Sequence, residues 1–485
     1  MSTSAMDVSS VDVSTMNELG FRLHFLWSDI LIFLLAASLI GFAITLYRSP
    51  LSRARWAQVF ESKIGVAAFM VILFYVVVAL VDSVHFQIQL EQTSESSEVH
   101  YAPEAKSLLD VVLAPMQGKD EKTYSAPFAI HSFAKTTVEL PDGGVAREFP
   151  RLLHGGSHLE NEDEHLVDVM VKSLTIIGWA LIPCLILIAL HHAFLRKSAS
   201  GLPWPVIYTT SAIIFLIATW ALQMSEYYHV LGTDKVGQDV LYGALKAIRT
   251  GVLIGTLATL VTLPLAVLLG ISAGYFKGWV DDVVQYIYTT LNSIPGILLI
   301  AASVLLIDVY IETHPEQFKL LSDRADFKFI ALCFILGMTS WTGLCRLLRA
   351  ETLKLSQLEY VQAAHAFGVS RWRVITRHIL PNTTHLILIA LVLDFSGFVL
   401  AEAVLSYIGV GVDPSMKSWG NMINEARAEL AREPVVWWSV TAAFILMFVL
   451  VLAANLFSDR VRDAFDPRIS GSGSGSGKID GGKVK

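Results

Sequence analysis

The stretch "EYVQAAHAFGVSRWRVITRHILPN", residues 359–382, lies between two long apolar runs and carries several basic residues. Its first part is rich in good helix formers, with Leu358, Val361 and Ala364 or His365 along one stripe. Gly368 is expected to end that helix, and Ser370 is placed to cap a second short helix before Pro381 introduces the next run. The pattern predicts a compact basic knob, which either docks against another protein or is held by lipid headgroups.

The composition predicts a membrane protein with many spans. The chain has 485 residues, 54% of them hydrophobic, and a mean hydropathy of +0.55. A helix needs about 20 apolar residues to cross the hydrocarbon core, and we find about nine such runs. They are continuous and do not alternate, which predicts an all-α polytopic fold and excludes a membrane β-barrel. The predicted spans lie at roughly 25–46, 64–82, 170–194, 206–224, 249–275, 284–307, 327–345, 384–408 and 434–457.

The distribution of Lys and Arg predicts the orientation, because positively charged short loops stay in the cytoplasm. The loop between the seventh and eighth spans is strongly basic, and the other basic loops agree with it by alternation. We therefore expect the N-terminus and segment 83–169 outside and the C-terminus in the cytoplasm. The basic residues of that loop are Arg346, Arg349, Lys354, Arg371, Arg373 and Arg377.

The knob sequence resembles the cytoplasmic loop of ABC importer permeases, which reads Glu-Ala-Ala, three residues, Gly, nine residues, then Ile-x-Leu-Pro. Ala363, Ala364, Gly368, Leu380 and Pro381 match that pattern. The resemblance implies that the loop at 351–381, including Glu359, forms a coupling helix that sits in a groove of an ATPase subunit. Two positions depart from the family: Gln362 replaces the Glu, and His378 stands at the Ile position.

A second motif, "LGTDKVGQDVLYGAL" at 231–245, is similar to the external segment of dipeptide, oligopeptide and nickel permeases, with Gln238 in place of the usual Arg. "AGYFKGWVDD", "IPGILL", "LAEAVLSYIGVGV", "SWGNMI" and "RDAFDPR" follow in the order of the same branch. This series resembles the second of two paired permeases and implies a type I ABC importer permease core at 225–468.

The rest of the chain is divided around that core. We expect an external tail at 1–24, two N-terminal spans at 25–82, an external insert at 83–169 and two additional spans at 170–224. The first, third and fourth spans and the insert are additions to the family pattern. Segment 471–485 has the composition of a flexible linker or tag and takes no part in the fold.

The segment at 231–245 and "SWGNMI" are expected next to each other at the outer mouth, as an external gate and docking surface. The alternative is local, since Asp234 and Asp239 could simply cap the helix that follows. The candidate gate residues are Gly232, Thr233, Asp234, Gly237, Asp239, Trp419 and Gly420.

Four residues within predicted spans are candidates for the transport path. Asp394 lies near the middle of the eighth span, where an ionisable group is costly, and Glu402 lies nearer its outer end. Asn292 and Pro295 interrupt the sixth span. Each of these positions has an alternative structural reading as a helix-packing residue or a kink.

"HGGSHLENEDEH" places His154, His158 and His165 beside several carboxylates, which are possible ligands for a divalent metal. The spacing is not that of a known zinc site, and we expect a solvated acidic loop without metal. The three cysteines, Cys184, Cys333 and Cys345, fall within or at the ends of predicted spans, so no external disulfide framework is expected.

The resemblance implies a multi-pass permease of the bacterial inner membrane that imports peptides and catalyses no covalent reaction. The chain itself is expected to hold no cofactor, because ATP and Mg²⁺ would bind to the partner ATPases. The implied partners are a second permease, one or two ATPase subunits, an external substrate-binding protein and the lipid bilayer, with no nucleic acid. Two alternatives remain open: an ion-coupled secondary transporter using Asp394, and a scaffold or receptor built on the insert.

Overall fold

The computed structural model describes residues 21–48, 50–88, 105–139, 145–194, 201–318 and 320–465. Most of the predicted external tail and the linker at 471–485 lie outside these residues. The described chain is mainly helical, as predicted, with short strands only at one end of the bundle.

The long helices follow the apolar runs of the sequence. In chain order the described helices are α1 (Trp27–Arg48), α2 (Pro50–Glu61), α3 (Lys63–Asp82), α4 (Leu108–Val112), α5 (His165–Phe194), α6 (Trp204–Met224), α7 (Val240–Phe276), α8 (Gly278–Ser293), α9 (Gly296–Thr313), α10 (Leu321–Ser340), α11 (Thr342–Leu355), α12 (Glu359–Ala366), α13 (Arg371–Val374), α14 (Leu380–Tyr407), α15 (Trp419–Ala426) and α16 (Trp438–Phe465).

Eight of the described helical segments are long and apolar enough to cross a membrane. The first predicted span, 25–46, corresponds to α1, whose described apolar part, Trp27–Gly41, is shorter than the others. The sixth predicted span is not one helix, because the chain breaks at Ile294 and Pro295 between α8 and α9. The interruption predicted at Asn292 and Pro295 is thus confirmed, and the apolar helix on its far side is α9.

Helix α7 is the centre of the bundle and packs against α3, α10, α11, α14 and α16. Glycines allow this close approach: a Cβ at Gly251 would lie 2.5 Å from the ring of Trp419, and one at Gly255 would lie 2.5 Å from Phe395. Further along, Gly270 and Gly274 meet the backbone carbonyls of α11 in the same way. Small residues at such spacing let membrane helices approach closely, which stabilises them by van der Waals contact.

At the far end of this bundle from the knob, strands join the N-terminal part of the chain to the insert. Strand β1 (Phe21–Leu23) pairs antiparallel with β2 (His85–Ile88), which also pairs with β3 (Lys106–Ser107). Strands β4 (Thr136–Glu139) and β5 (Val145–Glu148) form a separate hairpin in the insert. The insert therefore contains both helix and strand.

Candidate functional site

The predicted gate residues meet at the insert end of the bundle. The segment Gly232–Asp239 folds back on itself, with Thr233 and Asp239 forming an isolated β-bridge just before α7. Asp239 caps α7, because its Oδ1 accepts hydrogen bonds from the backbone N–H groups of Leu241 (2.8 Å) and Tyr242 (3.2 Å). The predicted helix cap is confirmed for Asp239.

Asp234 does not cap α7, which corrects half of that expectation. Its Oδ1 accepts from the N–H groups of Val236 and Gln238, both at 2.9 Å, and so closes the turn inside the gate segment. The physical reason is distance along the chain, since Asp234 lies five residues before the cap position. An Asp side chain readily bonds to the backbone two residues ahead.

The second predicted gate element lies against the first. Lys417 donates to the Gln238 side chain at 2.8 Å, and its carbonyl accepts from the Thr250 hydroxyl at 2.7 Å. Trp419 is almost fully buried, and its indole N–H donates to the carbonyl of Ala244 in α7. Sequence motifs almost two hundred residues apart are thus brought into direct contact.

Between these elements lies a cavity of about 360 Å³. The carboxylates of Asp234, Glu425 and Glu429 line it together with the ammonium group of Lys417. Burial raises the pKa of Asp234 and of Glu425, and the charge of Lys417 opposes that rise. The cavity sits under the predicted mouth and has acidic character.

The insert supplies a further wall of this region. Tyr124 lines the cavity, and the backbone of the insert follows the gate segment through hydrogen bonds between Glu121 and Gly237 and between Thr233 and Ser125. The contact is close: a Cβ at Gly237 would lie 1.8 Å from the Glu121 carbonyl oxygen. The Trp438 indole at the start of α16 donates to the carbonyl of Thr233 at 2.9 Å.

A buried charge cluster links the insert to the cap of α7. His229 Nδ1 lies 2.9 Å from Asp239 Oδ2, and its Nε2 lies 3.6 Å from Glu121 Oε1, an ion-pair separation and not a hydrogen bond. Glu121 also accepts three backbone N–H groups, from residues 153–155. Although burial opposes it, the two carboxylates raise the pKa of His229 to about 9. Burial alone would raise the pKa of Glu121, but the contact with His229 and the three backbone hydrogen bonds lower it to about 2.

The predicted coupling knob lies at the opposite end of the bundle. Val361 in α12 is fully buried with Val374 and Ile379 against the C-terminal part of α7 near Ile271. Around this anchor the surface is open: Phe367 is 86% exposed and Trp372 is 68% exposed. Glu359, Gln362, Ala363 and Pro381 are exposed as well, while Ala364, His378 and Leu380 are partly buried.

Gly368 makes the turn after α12. Its φ of +73° lies in the left-handed region, and no described atom lies within 4 Å of a Cβ added there. The second short helix that was predicted is not separate, because α13 continues through a π-helical turn at Ile375–Ile379 into α14. Pro381 is tolerated there since it stands in the first turn of α14. Ser370 occupies the N-cap position without a side-chain hydrogen bond.

The candidate path residues are dispersed along the bundle. Asn292 accepts a hydrogen bond from the Thr342 hydroxyl at 3.0 Å. Asp394 is half-buried, and one of its carboxylate oxygens is buried without a hydrogen-bond partner among the described residues. Glu402 is buried, accepts from the Ser406 hydroxyl at 2.8 Å and packs against Gly420. Glu402 therefore packs against the segment at 418–423, which we call the gate loop.

The three candidate metal-binding histidines do not converge. His158 contacts Asp168 and Lys172, His165 bonds to the carbonyl of Phe128, and the backbone N–H of His154 donates to Glu121. No group of three or more metal-ligating side chains occurs among the described residues. The three cysteines are free thiols.

Four residues of this region were missed by sequence reasoning: Glu121, His229, Lys246 and Arg249. A signal for the last two was present, because they are charged and follow Asp239 at helical spacing in front of an apolar run. The predicted span began only at residue 249, so the helix expected at 240–248 was not recognised as part of the membrane-spanning bundle. Glu121 carries no local signal, since its partners lie more than thirty residues away. His229 lies ten residues before Asp239 in a non-helical segment that has no regular spacing.

Comparisons with known proteins match the second half of the chain. The family model "binding-protein-dependent transport system inner membrane component" matches residues 266–471. The glutathione transport system permease protein GsiD of Pectobacterium atrosepticum is 33% identical over 50% of this chain and 73% of its own length. The dipeptide permease DppC of Lactococcus lactis is 31% identical over 50% of this chain and 64% of its own length. The oligopeptide permease OppC of Mycobacterium bovis is 32% identical over 51% of this chain and 78% of its own length.

Proposed function

We propose that the chain imports peptides as one of two paired permeases. The support is that the chain belongs to the family of binding-protein-dependent transport system inner membrane components. Membership of this family makes the chain a multi-pass inner-membrane permease subunit of an ABC importer and not an enzyme. It also implies separate ATPase and substrate-binding partners. The proposal adds the cargo, the second permease and the assignment of parts to this chain.

One observation carries the proposal: a gate cavity and an exposed knob lie at opposite ends of one helix bundle. Helix α7 joins them, because Asp239 caps it at the cavity and Ile271 packs on the knob anchor near its other end. An ATPase that pulled on the knob would therefore act on a helix that forms the gate. This is the arrangement that alternating access by a rocking bundle requires.

In this proposal the knob is the ATPase docking surface. Its anchor residues are buried, while its aromatic and basic side chains face outward, which suits insertion into a groove of a partner. ATP and Mg²⁺ would bind only to one or two kinds of partner ATPase subunit. Gln362 lacks the carboxylate of the family pattern; its side-chain amide donates to the carbonyl of Gln357 and so closes the start of α12.

The gate cavity would receive the cargo that an external binding protein releases. The carboxylates of Asp234 and Glu425 suit the positively charged amino terminus of a peptide. Asp394 and Asn292 would line the path below the gate, with Pro295 providing the helix break beside it. The relatives named for dipeptide, oligopeptide and glutathione transport support a peptide as the cargo class.

The test is uptake of a radiolabelled tripeptide by proteoliposomes that contain the chain with its candidate partners. We expect uptake that requires ATP, the binding protein and an active ATPase, with a hydrolysis-deficient ATPase as the control. Uptake by the chain alone under an ion gradient would support the secondary transporter instead. ATP-dependent uptake of a nickel chelate but of no peptide would contradict the proposed cargo.

A further inference from the structure

One face of the first turns of α7 carries an unusual row of polar side chains. Tyr242, Lys246 and Arg249 follow the cap residue Asp239 at intervals of three or four, so all four lie on the same side of the helix. Charged residues so close to an apolar span are costly unless they are paired. We call these four residues the polar stripe.

The gate loop packs on the other side of the same helix. Trp419 contacts α7 at Ala244 and Gly251, which lie roughly opposite the polar stripe at 3.6 residues per turn. Tyr242, Lys246 and Arg249 therefore face away from the Trp419 ring. Their side-chain partners lie in the insert and the N-terminal spans.

Lys246 is bound by both the second predicted span and the insert. Its Nζ lies 2.6 Å from Asp82 at the end of α3 and 3.0 Å from Asp110 in α4 of the insert. The Ser107 hydroxyl, at the start of α4, donates to Asp82 at 2.6 Å, and the Tyr242 hydroxyl donates to Asp110 at 2.9 Å. Removal of the ammonium group would leave two carboxylates facing each other.

Arg249 makes the corresponding contact with the first helix. Its Nη2 lies 2.6 Å from Asp29 and donates to the Ser28 hydroxyl at 2.6 Å, while Nε donates to Ser83 at 3.1 Å. Asp29 is fully buried, and it also lies 2.8 Å from His85 Nδ1. The first span is therefore fastened to α7 by a buried ion pair.

We propose that the insert and the N-terminal spans form a clamp that fixes the outer end of α7 and thereby sets the conformation of the gate. The clamp consists of the polar stripe and its partners, together with the close backbone contact of Glu121 on Gly237. Lys246, Tyr242 and Arg249 are positioning residues, since they act on the cargo only through the gate. The clamp gives a function to regions that the family pattern does not include, and its transport readout rests on the proposed function.

The first test compares Lys246→Met with Lys246→Arg in the purified full-length chain. Methionine keeps the aliphatic stem but loses the charge, whereas arginine keeps the charge. We expect hydrogen exchange of a peptide covering 225–245 to rise at least about tenfold in Lys246→Met and to stay close to that of the unmodified chain in Lys246→Arg. Lys122→Met, an exposed change in the insert, is the matched control. A peptide covering 359–378 should not change in any variant.

The second test uses the assembled transporter and a binding protein loaded with a tripeptide library. Lys246→Met should assemble normally, but the stimulation of its ATPase activity by the loaded binding protein should be at least about fivefold lower. Lys246→Arg should keep the full stimulation. If the unmodified transporter shows no stimulation at all, the proposed function fails, and hydrogen exchange still tests the clamp. Wild-type exchange and stimulation in Lys246→Met would overturn the clamp. Equal impairment in Lys246→Arg would also overturn it, because packing and not charge would then be responsible.

Gly237→Ala provides a test that leaves all charges in place. Its Cβ would collide with the Glu121 carbonyl and push the insert from the gate. Gly409→Ala is the matched control, because its φ of +82° is close to the +84° of Gly237 and no described atom lies within 4 Å of its Cβ. We expect faster exchange at 225–245 only in Gly237→Ala. Equal exchange in the two variants would contradict the clamp, and this comparison remains decisive if Lys246→Met fails to fold.

Discussion

Each end of the bundle has a glycine with positive φ, but the surroundings of the two glycines differ. Gly237 at the gate and Gly368 in the knob both have φ in the left-handed region, at +84° and +73°. A Cβ at Gly237 would lie 1.8 Å from a backbone oxygen of the insert, whereas the space beside Gly368 is open within the described chain. The gate end is thus packed against its own chain, and the knob end is open.

Charged groups show the same contrast. At the gate end Lys246, Arg249 and His229 all have buried carboxylate partners within the chain. In the knob Arg371 and Arg373 are exposed beside the exposed ring of Trp372. A buried charge needs a partner inside the protein, whereas an exposed cluster of Arg and Trp is typical of a surface that binds another protein. Intramolecular contacts therefore complete the gate end, and the exposed knob fits the proposal that it docks on an ATPase.

The largest contrast is expected in accessibility from the two sides of the membrane. In a variant without native cysteines, Lys122→Cys should react with an impermeant thiol reagent in intact cells, whereas Tyr360→Cys should react only after the cells are opened. The reason is the positive-inside distribution of the loops. Both positions are exposed on the protein surface, so burial does not confuse the result. Labelling at 360 in intact cells would reverse the proposed topology.

The next largest effect is expected in the knob. Gly368→Pro should leave the transporter assembled but abolish peptide uptake driven by ATP hydrolysis, because proline holds φ near about −65° and cannot adopt the observed turn. Ala364→Trp should act similarly by filling the space where the ATPase groove is expected. Gly368→Ala is the milder control and should cost about 1 kcal/mol of local stability. Uptake and hydrolysis are measured together, and normal coupling in Gly368→Pro would show that the knob does not transmit force.

At the gate, Asp239→Ala should be strongly destabilising. It removes the cap of α7 and leaves His229 with one partner, and breaking a buried pair typically costs about 3–5 kcal/mol. Asp234→Ala should cost only about 1 kcal/mol, because it loses only two hydrogen bonds in an accessible turn. Thermal unfolding of both variants checks the order, and assembly with ATPase stimulation checks the gate role. Normal stimulation in both variants would show that these carboxylates serve only the local fold.

A pH dependence of the gate end is expected to be a smaller effect than the loss of Asp239. The pKa of His229 is raised to about 9 from 6.5, so its stabilising contribution is complete below pH 6.5 and is lost as pH rises through 9. The contribution amounts to about 3 kcal/mol at most. The difference in melting temperature between the unmodified chain and His229→Gln should therefore shrink between pH 7 and pH 10. A difference that stays constant over this range would show that His229 is not held as a charged partner.

The knob and the gate motifs were predictable because their signals are local. Gly368 and Val361 lie within one short segment, and Asp239 stands directly before the helix that it caps. The helix break at Pro295 was also predictable, since proline acts on its own turn. The continuous helix from Arg371 to Tyr407 was missed, because the π-helical turn at Ile375–Ile379 has no recognised sequence signal.

The sequence by itself determined the membrane class, the nearly complete set of apolar helices, the knob and the family resemblance, because hydrophobic length and motif spacing are written along the chain. Only the tertiary structure decided where the insert and the N-terminal spans attach to α7. Asp29, Asp82 and Asp110 come from different parts of the chain and meet on one face of α7. A pairing of this kind depends on how helices pack in three dimensions. The sequence around a carboxylate does not reveal which ammonium or guanidinium group it will pair with.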